Sequence, residues 1–289
     1  MADTGRLNNI IRAWEEGRPA YASFAPPNKH AAIDFSTAPY DGIIFECEHN
    51  SWDADNLQDA MQYLLNRQQI HSAPTLAPAV TPIARIPSNG VEMNQFLAKQ
   101  ALDRGVYGVV WPHIGTPEQA SNAVASCRYA RKAGSEFYEP AGLRGDGPAN
   151  ACRYWGLSQQ EYYRKADVYP LNPEGELLVF IMIESIKGLD NVDEILGKVP
   201  GIGCVLIGEG DLSQALGYPR QYEHPVVHDA MHHIVQVCKK HKVPVGHPHV
   251  TTANVEWAIK EGFSFLMSSP VKTYAAIDKA REIVKGQRS

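Results

Sequence analysis

No run of apolar residues in this chain of 289 approaches the length of a membrane span: the longest aliphatic or aromatic stretch near its middle is Leu177 to Ile183, far below the ~18 residues that a span requires. The chain is therefore read as one that does not cross a bilayer. The opening residues, MADTGRLNNIIRAWEEG, lack the apolar h-region of a secretory signal, which leaves a cytoplasmic location as the expectation. Cysteine is scarce, with five residues and no CxxC pair. Cys47, Cys127, Cys152, Cys204 and Cys238 stand among apolar neighbours and read as free buried thiols, not as a disulfide frame or zinc site. Nor is there a basic stripe: 27 Lys and Arg face 32 Asp and Glu, a net charge of -5, so nucleic acid is not an expected partner. With 44% apolar and 20% charged residues, disordered and fibrous classes are excluded, while the length allows one domain or two.

What is present is an alternation. Short runs rich in β-branched residues fall at Ala20 to Phe24, Gly42 to Glu46, Thr81 to Ile86, Gly108 to Trp111, Leu177 to Glu184, Gly203 to Gly208, Pro244 to Gly246 and Ser264 to Met267. Helical periodicity falls at about Asn56 to Asn66, Glu92 to Leu102, Pro117 to Ala133, Val226 to His241, Thr252 to Glu261 and Val271 to Val284. Thr116-Pro117-Glu118 is a helix start, with a capping hydroxyl, proline at the first position and acid in the first turn; Thr251 or Thr252 offers a similar cap. Eight strands spread almost end to end predict closure into a single-domain α/β fold, a TIM (β/α)8 barrel. An open doubly wound sheet is the alternative.

Two features exceed the ordinary barrel of ~250 residues. One is an amphipathic N-terminal helical arm, about residues 5–16. The other is an enlarged, tyrosine-rich segment, 135–176, holding GLRGDGPANACRYWG. A loop of that length is usually functional, and it reads either as an excursion over a barrel end or neighbouring subunit, or as a wall over an active site. It is also where substrate choice is expected to be set.

Reacting groups in a barrel cluster at the C-terminal ends of the strands, and four constellations fall there. Phe45-Glu46-Cys47-Glu48-His49 ends a strand in two acids and an imidazole; Arg85 lies near the end of the next; Glu184 closes LLVFIMIE; Gly208-Glu209-Gly210-Asp211 closes GCVLIG. Glu184 and Asp211, one helix-plus-strand repeat apart, should face a common point as a pair of hard carboxylates suited to Mg2+ or Mn2+. Taken singly, Asp211 with Gln214 also reads as a helix-start pair, and Glu184 as the answer to a nearby cation. Glu46, three residues before His49, can orient that ring as a general base. Arg85 is either an ion-pair partner of Glu46 or Glu48, or the cation that holds a carboxylate or enolate oxygen. His247 and His249 follow the seventh strand and are candidates for the substrate side. Two other patterns are discounted. GEGDLS lacks the last glycine of a dinucleotide loop, and His228-Asp229-Ala230-Met231-His232-His233 has Asp where the zinc-peptidase motif has Glu, so it reads as a solvated helix face.

These constellations, in this order, resemble the HpcH/HpaI aldolase family, which also includes macrophomate synthase. The likeness runs from about Gly42 to Ser269 and rests on GIIFECEHNSWD, PIARIPSN, GVYGVVWPHIGTPEQA, GLRGDGP, IMIESIKGLDNVDEI, GIGCVLIGEGDLSQALGYP and VPVGHPH. The resemblance implies a metal-dependent pyruvate aldolase on a (β/α)8 barrel, assembled as a homohexamer, a trimer of dimers. By position it places Glu184 and Asp211 as metal ligands, with Mg2+ or Mn2+ expected and Co2+ a further candidate. Arg85 falls at the enolate oxygen, His49 and Glu46 as the acid-histidine pair, and the turn Gly208, Glu209, Gly210, Asp211 at the substrate carboxylate. The chain departs from the family at Glu46, usually Asp; at Met182, often Gln; at Glu209, often proline; and at His247 and His249, usually apolar. These departures bear on substrate identity.

The expected partners are then a small-molecule 2-oxo acid, most simply pyruvate, and an aldehyde. Loss of a proton to His49, or to a water it activates, forms an enolate that adds to the aldehyde; the reverse cleaves a 4-hydroxy-2-oxo acid. Loss of CO2 from oxaloacetate reaches the same enolate, so an oxaloacetate decarboxylase or a synthase of the macrophomate type is the alternative. A binding barrel without catalysis is the reading from another class.

Overall fold

The structure is a computed structural model that describes residues 5–87, 90–269 and 274–287. Among the described residues, nine strands form one parallel sheet: β1 (Ala20–Ala25), β2 (Gly42–Glu46), β3 (Thr81–Arg85), β4 (Gly108–Trp111), β5 (Val168–Tyr169), β6 (Leu177–Ile183), β7 (Cys204–Ile207), β8 (Val245–Val250) and β9 (Phe265–Ser268). Their order is β4-β3-β2-β1-β9-β8-β7-β6-β5, and a pairing of β4 with β6 closes eight of them into a barrel. The ninth, β5, lies beside the start of β6, Val168 opposite Leu177. Helices between strands bury the outer face, which explains why β6 reads as an unbroken apolar run: all seven of its residues are buried. The eight expected strands are thus the eight of the closed TIM-type (β/α)8 barrel, a single domain. Four of the five cysteines are buried and Cys152 is half-buried, all as free thiols.

Helix positions agree less closely. The stretch expected to run from Pro117 to Ala133 stops at Ser126, and the first residues of the expected Val271 to Val284 helix lie outside the described residues; its described part is Ala275–Gln287. The helix Ile186–Lys198, absent from the sequence-read stretches, links β6 to β7. Thr116 caps Pro117–Ser126 as expected, accepting from the Gln119 amide at 3.2 Å.

The N-terminal segment 5–16 carries a helix that packs against the barrel. The helix Asn9–Glu15 lies across the N-terminal end of the barrel, with Leu7, Ile10, Ile11 and Ala13 fully buried. Its polar groups bind strand beginnings: the Asn9 amide donates to Thr81 Oγ1 at 2.9 Å, and Trp14 Nε1 donates to the Ser264 carbonyl at 2.8 Å. Gly42 opens β2 because a Cβ there would meet Ile10 Cδ1 at 2.6 Å and the Thr81 carbonyl oxygen at 3.0 Å.

The enlarged segment carries helices Ala149–Trp155 and Gln159–Lys165 and the strand β5. It does not wall the active site of its own chain. A helix of a barrel runs antiparallel to its strands, so chain inserted between a helix end and the next strand emerges at the N-terminal face, opposite the catalytic mouth. The anchors agree: Trp155 stacks on Tyr107 with ring centroids 4.1 Å apart, and its Nε1 donates to the Gly105 carbonyl at 2.8 Å, both before β4. Fully buried Arg128 donates through Nε to Asp167 Oδ1 at 2.7 Å and through Nη1 to the Pro140 carbonyl at 2.7 Å. Burial by itself raises the Asp167 pKa, but Arg128 and Arg131 more than offset it and hold this carboxyl below its usual range. A cavity of about 770 Å³ between Tyr129, Arg144, Tyr163 and Asp167 belongs to this end of the barrel.

Candidate active site at the barrel mouth

Parallel pairing places the strand ends side by side. Glu46 is opposite Arg85 in the β2–β3 register, and Ile183 opposite Ile207 in β6–β7. Glu184 and Gly208, the residues that follow, therefore emerge as neighbours. They touch: a Cβ on Gly208 would lie 2.6 Å from Glu184 Cβ and closer still to its Oε2. The absent side chain is a cradle for the Glu184 carboxylate, whose other oxygen, Oε1, accepts from the His113 amide at 2.6 Å. Burial pushes the Glu184 carboxyl up to about 8, with the carboxylates of Glu48 and Asp211 adding to the rise against the amide bond and Arg85. A buried acid wedged among other acids is stabilised in its charged form by a cation at its open side.

A third group joins the two expected carboxylates. One ligand atom each of His113, Glu184 and Asp211 lies within 4.8 Å of the others. His113 was not among the constellations read from sequence, although it stands two residues beyond β4 in VVWPHIG. Position past a barrel strand was the available signal. Its backbone is left-handed, with φ 51°, uncommon for a residue with a side chain. Donation from His113 N to Glu184 and from Ile114 N to the Met182 carbonyl at 3.1 Å ties this turn to the end of β6.

Arg85 is 8% exposed and is surrounded on three sides. Its Nε donates to Glu46 Oε2 at 2.7 Å, its Nη1 pairs with Glu48 Oε2 at 3.0 Å, and the Phe24 ring lies 4.6 Å from its central carbon. Nη1 also approaches Met182 Sδ at 3.6 Å, so Met182 offers the guanidinium only a weak acceptor. Both ion-pair alternatives for Arg85 are realised together, and its charge also acts on Glu184. The expected Glu46–His49 pairing is not formed as drawn from sequence. Glu46 Oε1 accepts from the backbone amides of Glu48 and His49, at 2.8 and 3.2 Å, and its other oxygen faces Arg85. These short local bonds use up the carboxylate. The acid near the His49 ring is Glu48, 3.8 Å from Nε2, and the ring is 68% exposed.

In the turn after β7, the Gly208 amide donates to the Ile183 carbonyl at 3.2 Å. The amides of Glu209, Gly210 and Asp211 open the helix Glu209–Ala215 and have no acceptor within that helix. Nothing stands within 4 Å of the place a Gly210 Cβ would take. The Glu209 side chain turns elsewhere: it is buried and pairs with His249 Nδ1, with His247 Nε2 3.8 Å from its other oxygen.

His247 and His249 are thus not brought to Glu184 and Asp211. Both instead line a cleft of about 700 Å³ with Glu209, Tyr222, His228 and Trp257. His247 packs edge-on against Phe263 and Trp257, and burial pushes its pKa down to about 4. His232 and His233 are exposed, as a solvated helix face requires, but His228 is half-buried against Trp257, with ring centroids 4.7 Å apart, and faces the cleft.

A profile of the HpcH/HpaI aldolase/citrate lyase family matches residues 21–285. Over 168 residues, 58% of this chain, the sequence is 31% identical to a 5-keto-4-deoxy-D-glucarate aldolase of Shigella boydii; the match spans 57% of that relative's length. It is 29% identical over 231 residues to a 2-keto-3-deoxy-L-rhamnonate aldolase of Klebsiella pneumoniae, covering 80% of this chain and 74% of the relative. Among solved structures, an HpcH/HpaI aldolase/citrate lyase family protein from Burkholderia cenocepacia superposes with a TM-score of 0.74 at 24% identity, over 98% of this chain and 100% of the other. Macrophomate synthase superposes with a TM-score of 0.68 at 21% identity, over 99% and 90%. These two share the barrel. The family rests on the profile match, which spans the strand ends just described, and this chain belongs to the HpcH/HpaI aldolase/citrate lyase family.

Proposed function

We propose that the protein is a metal-dependent carbon-carbon lyase that cleaves or forms 4-hydroxy-2-oxo acids through a pyruvate-type enolate. The observation that carries this reading is the meeting of Glu184 and Asp211 at the ends of adjacent strands, with the Arg85 guanidinium close enough for its charge to act on Glu184. The donor set fits a hard divalent cation: carboxylate oxygens, one of them buried and pushed to a high pKa, in a cradle that only glycine leaves open. A divalent ion held by Glu184 and Asp211 would supply Lewis acidity to the bound 2-oxo acid.

The chain's own groups do the rest. The free amides of Glu209, Gly210 and Asp211 receive the substrate carboxylate. Arg85, pre-oriented by Glu46 and Glu48, places its guanidinium at the oxygen where enolate charge develops, a position in which fixed donors act most strongly. His49, exposed at the mouth beside Glu48, takes a methyl proton from the 2-oxo acid as the enolate forms and returns it to the alkoxide oxygen left by addition to the aldehyde; in cleavage it takes the 4-hydroxyl proton as the carbon-carbon bond breaks and returns it to the enolate carbon. The protein is read as a homo-oligomer, a hexamer by family resemblance, working in the cytoplasm.

The test strips metal with chelator and follows pyruvate release from a panel of 4-hydroxy-2-oxo acids and oxaloacetate, with and without Mg2+, Mn2+ or Co2+. Turnover should vanish on chelation and return with metal. Activity that survives complete metal removal refutes the mechanism, and release from oxaloacetate alone assigns the decarboxylase instead.

A further inference from the structure

The two carboxylates leave one neighbour unaccounted for. The His113 ring stands at the same point, its Nδ1 3.6 Å from Glu184 Oε1, and a ligand atom of each of the three residues lies within 4.8 Å of the others. That separation is beyond a hydrogen bond, and the same oxygen is already served by the His113 amide at 2.6 Å. Two ligand atoms so spaced can share an ion with bonds of about 2.1 Å to each. The backbone is held so that both parts of the residue face Glu184: left-handed at φ 51°, a conformation that persists only where the surroundings impose it. Here the imposing contacts are the His113 and Ile114 amides, bound to Glu184 Oε1 and to the Met182 carbonyl.

We propose that His113 is a third protein ligand of the metal, turning a two-carboxylate site into a nitrogen-and-oxygen site that favours a first-row transition ion over Mg2+. The inference rests on the metal reading above and adds to it a donor and a selectivity. An imidazole contributes little to the binding of Mg2+, which takes oxygen and water, and much more to that of a later first-row ion such as Co2+. The His113 amide has a second task in this arrangement, fixing the Glu184 carboxylate from its far side as outer-shell donors do.

The experiment loads the metal-stripped protein with one equivalent of Mn2+ per chain and records pulsed electron paramagnetic resonance for nitrogen coupling, first with natural-abundance histidine and then with 15N-histidine. A nitrogen coupling that changes isotope signature with the label is the expected result, and it needs no variant. His113→Asn, chosen because Asn tolerates left-handed backbone, should retain bound Mn2+ but lose the coupling. Its Co2+ affinity should fall by at least ~10- to 100-fold, and its Mg2+ affinity by less than about threefold. Bound Mn2+ without a histidine coupling overturns the proposal while leaving the two-carboxylate site standing, as does a coupling that persists in His113→Asn. Failure of the wild-type protein to bind Mn2+ at all, or binding untouched by Glu184→Gln, overturns the metal reading itself and this inference with it.

Discussion

Gly208→Ala puts one methyl group where the structure leaves no room for it. The added Cβ would stand 2.6 Å from Glu184 Cβ, where ordinary contact begins at 3.4 Å, so the two must separate by roughly 0.8 Å. A flexible side-chain tip could yield at little cost, but the obstacle is a Cβ fixed to the backbone at the end of β6, with Oε1 of the same residue held by the His113 amide at 2.6 Å. Either the turn after β7 shifts or the carboxylate is pushed off that amide. The overpacking is expected to cost about 1–3 kcal/mol of stability. Displacement of a ligand by close to 1 Å is expected to lower turnover ~10²-fold, about 2.7 kcal/mol of transition-state stabilisation. Urea unfolding and steady-state assay of pyruvate release measure the two effects, and calorimetric titration with Mn2+ follows the metal site itself. Gly210→Ala is the matched control, because its Cβ meets nothing within 4 Å. It should fold and bind metal as the wild type does, yet raise KM for the 2-oxo acid if the turn amides receive the carboxylate. A Gly208→Ala protein that binds Mn2+ and turns over within about threefold of wild type would refute the placement of Glu184 against this turn.

Three further outcomes are expected. Arg85→Ala should lower kcat by ~10²- to 10³-fold with metal affinity largely kept, and Arg85→Lys should recover only part of the loss, since a point charge cannot face Glu46 and Glu48 as the fork does; equal activity of the alanine variant would remove Arg85 from the reaction. Asp167→Ala strands the buried Arg128 charge and should cost about 3–5 kcal/mol in urea unfolding, while specific activity of the remaining folded protein stays unchanged because the pair lies at the opposite end of the barrel. Burial lowers the His247 pKa from 6.5 to about 4, so the neutral ring's contribution is whole above pH 6.5 and is lost as pH falls toward 4, about 3 kcal/mol in all. Urea unfolding between pH 7 and pH 4 should show that loss in the wild type and not in His247→Phe; parallel curves would show that the ring is not buried as described.

Much of this molecule is readable from residue order because the determining interactions are local or periodic. A short, β-branched apolar run such as Leu177–Ile183 reads as a strand covered on both faces, and eight short strand-like runs alternating with helical stretches leave a closed parallel barrel as the economical solution. The positions of Glu46, Arg85, Glu184 and Asp211 at strand ends follow from the same counting. The side of the barrel on which segment 135–176 lies is legible too, in the rule that a helix-to-strand connection emerges at the N-terminal face; its length and tyrosines alone leave both an excursion over a barrel end and a wall over the active site open.

Which atom faces which was decided only by the tertiary structure. Glu46 and His49 are three residues apart, and sequence spacing allows their side chains to meet; the fold instead gives Glu46 to Arg85, across β2 and β3, and leaves Glu48 nearest the His49 ring. His247 and His249 stand at the end of a barrel strand, as catalytic groups do, but His247 falls on the face that packs against Trp257 and Phe263, and His249 pairs with Glu209. His113 carries no pattern of its own; it joins Glu184 and Asp211 because β4 pairs with β6 at the closure of the barrel and a left-handed turn aims it inward. Local order determines which residues reach the mouth. The closure of the sheet, which brings residues distant in the chain within a few ångströms of one another, decides which of them meet.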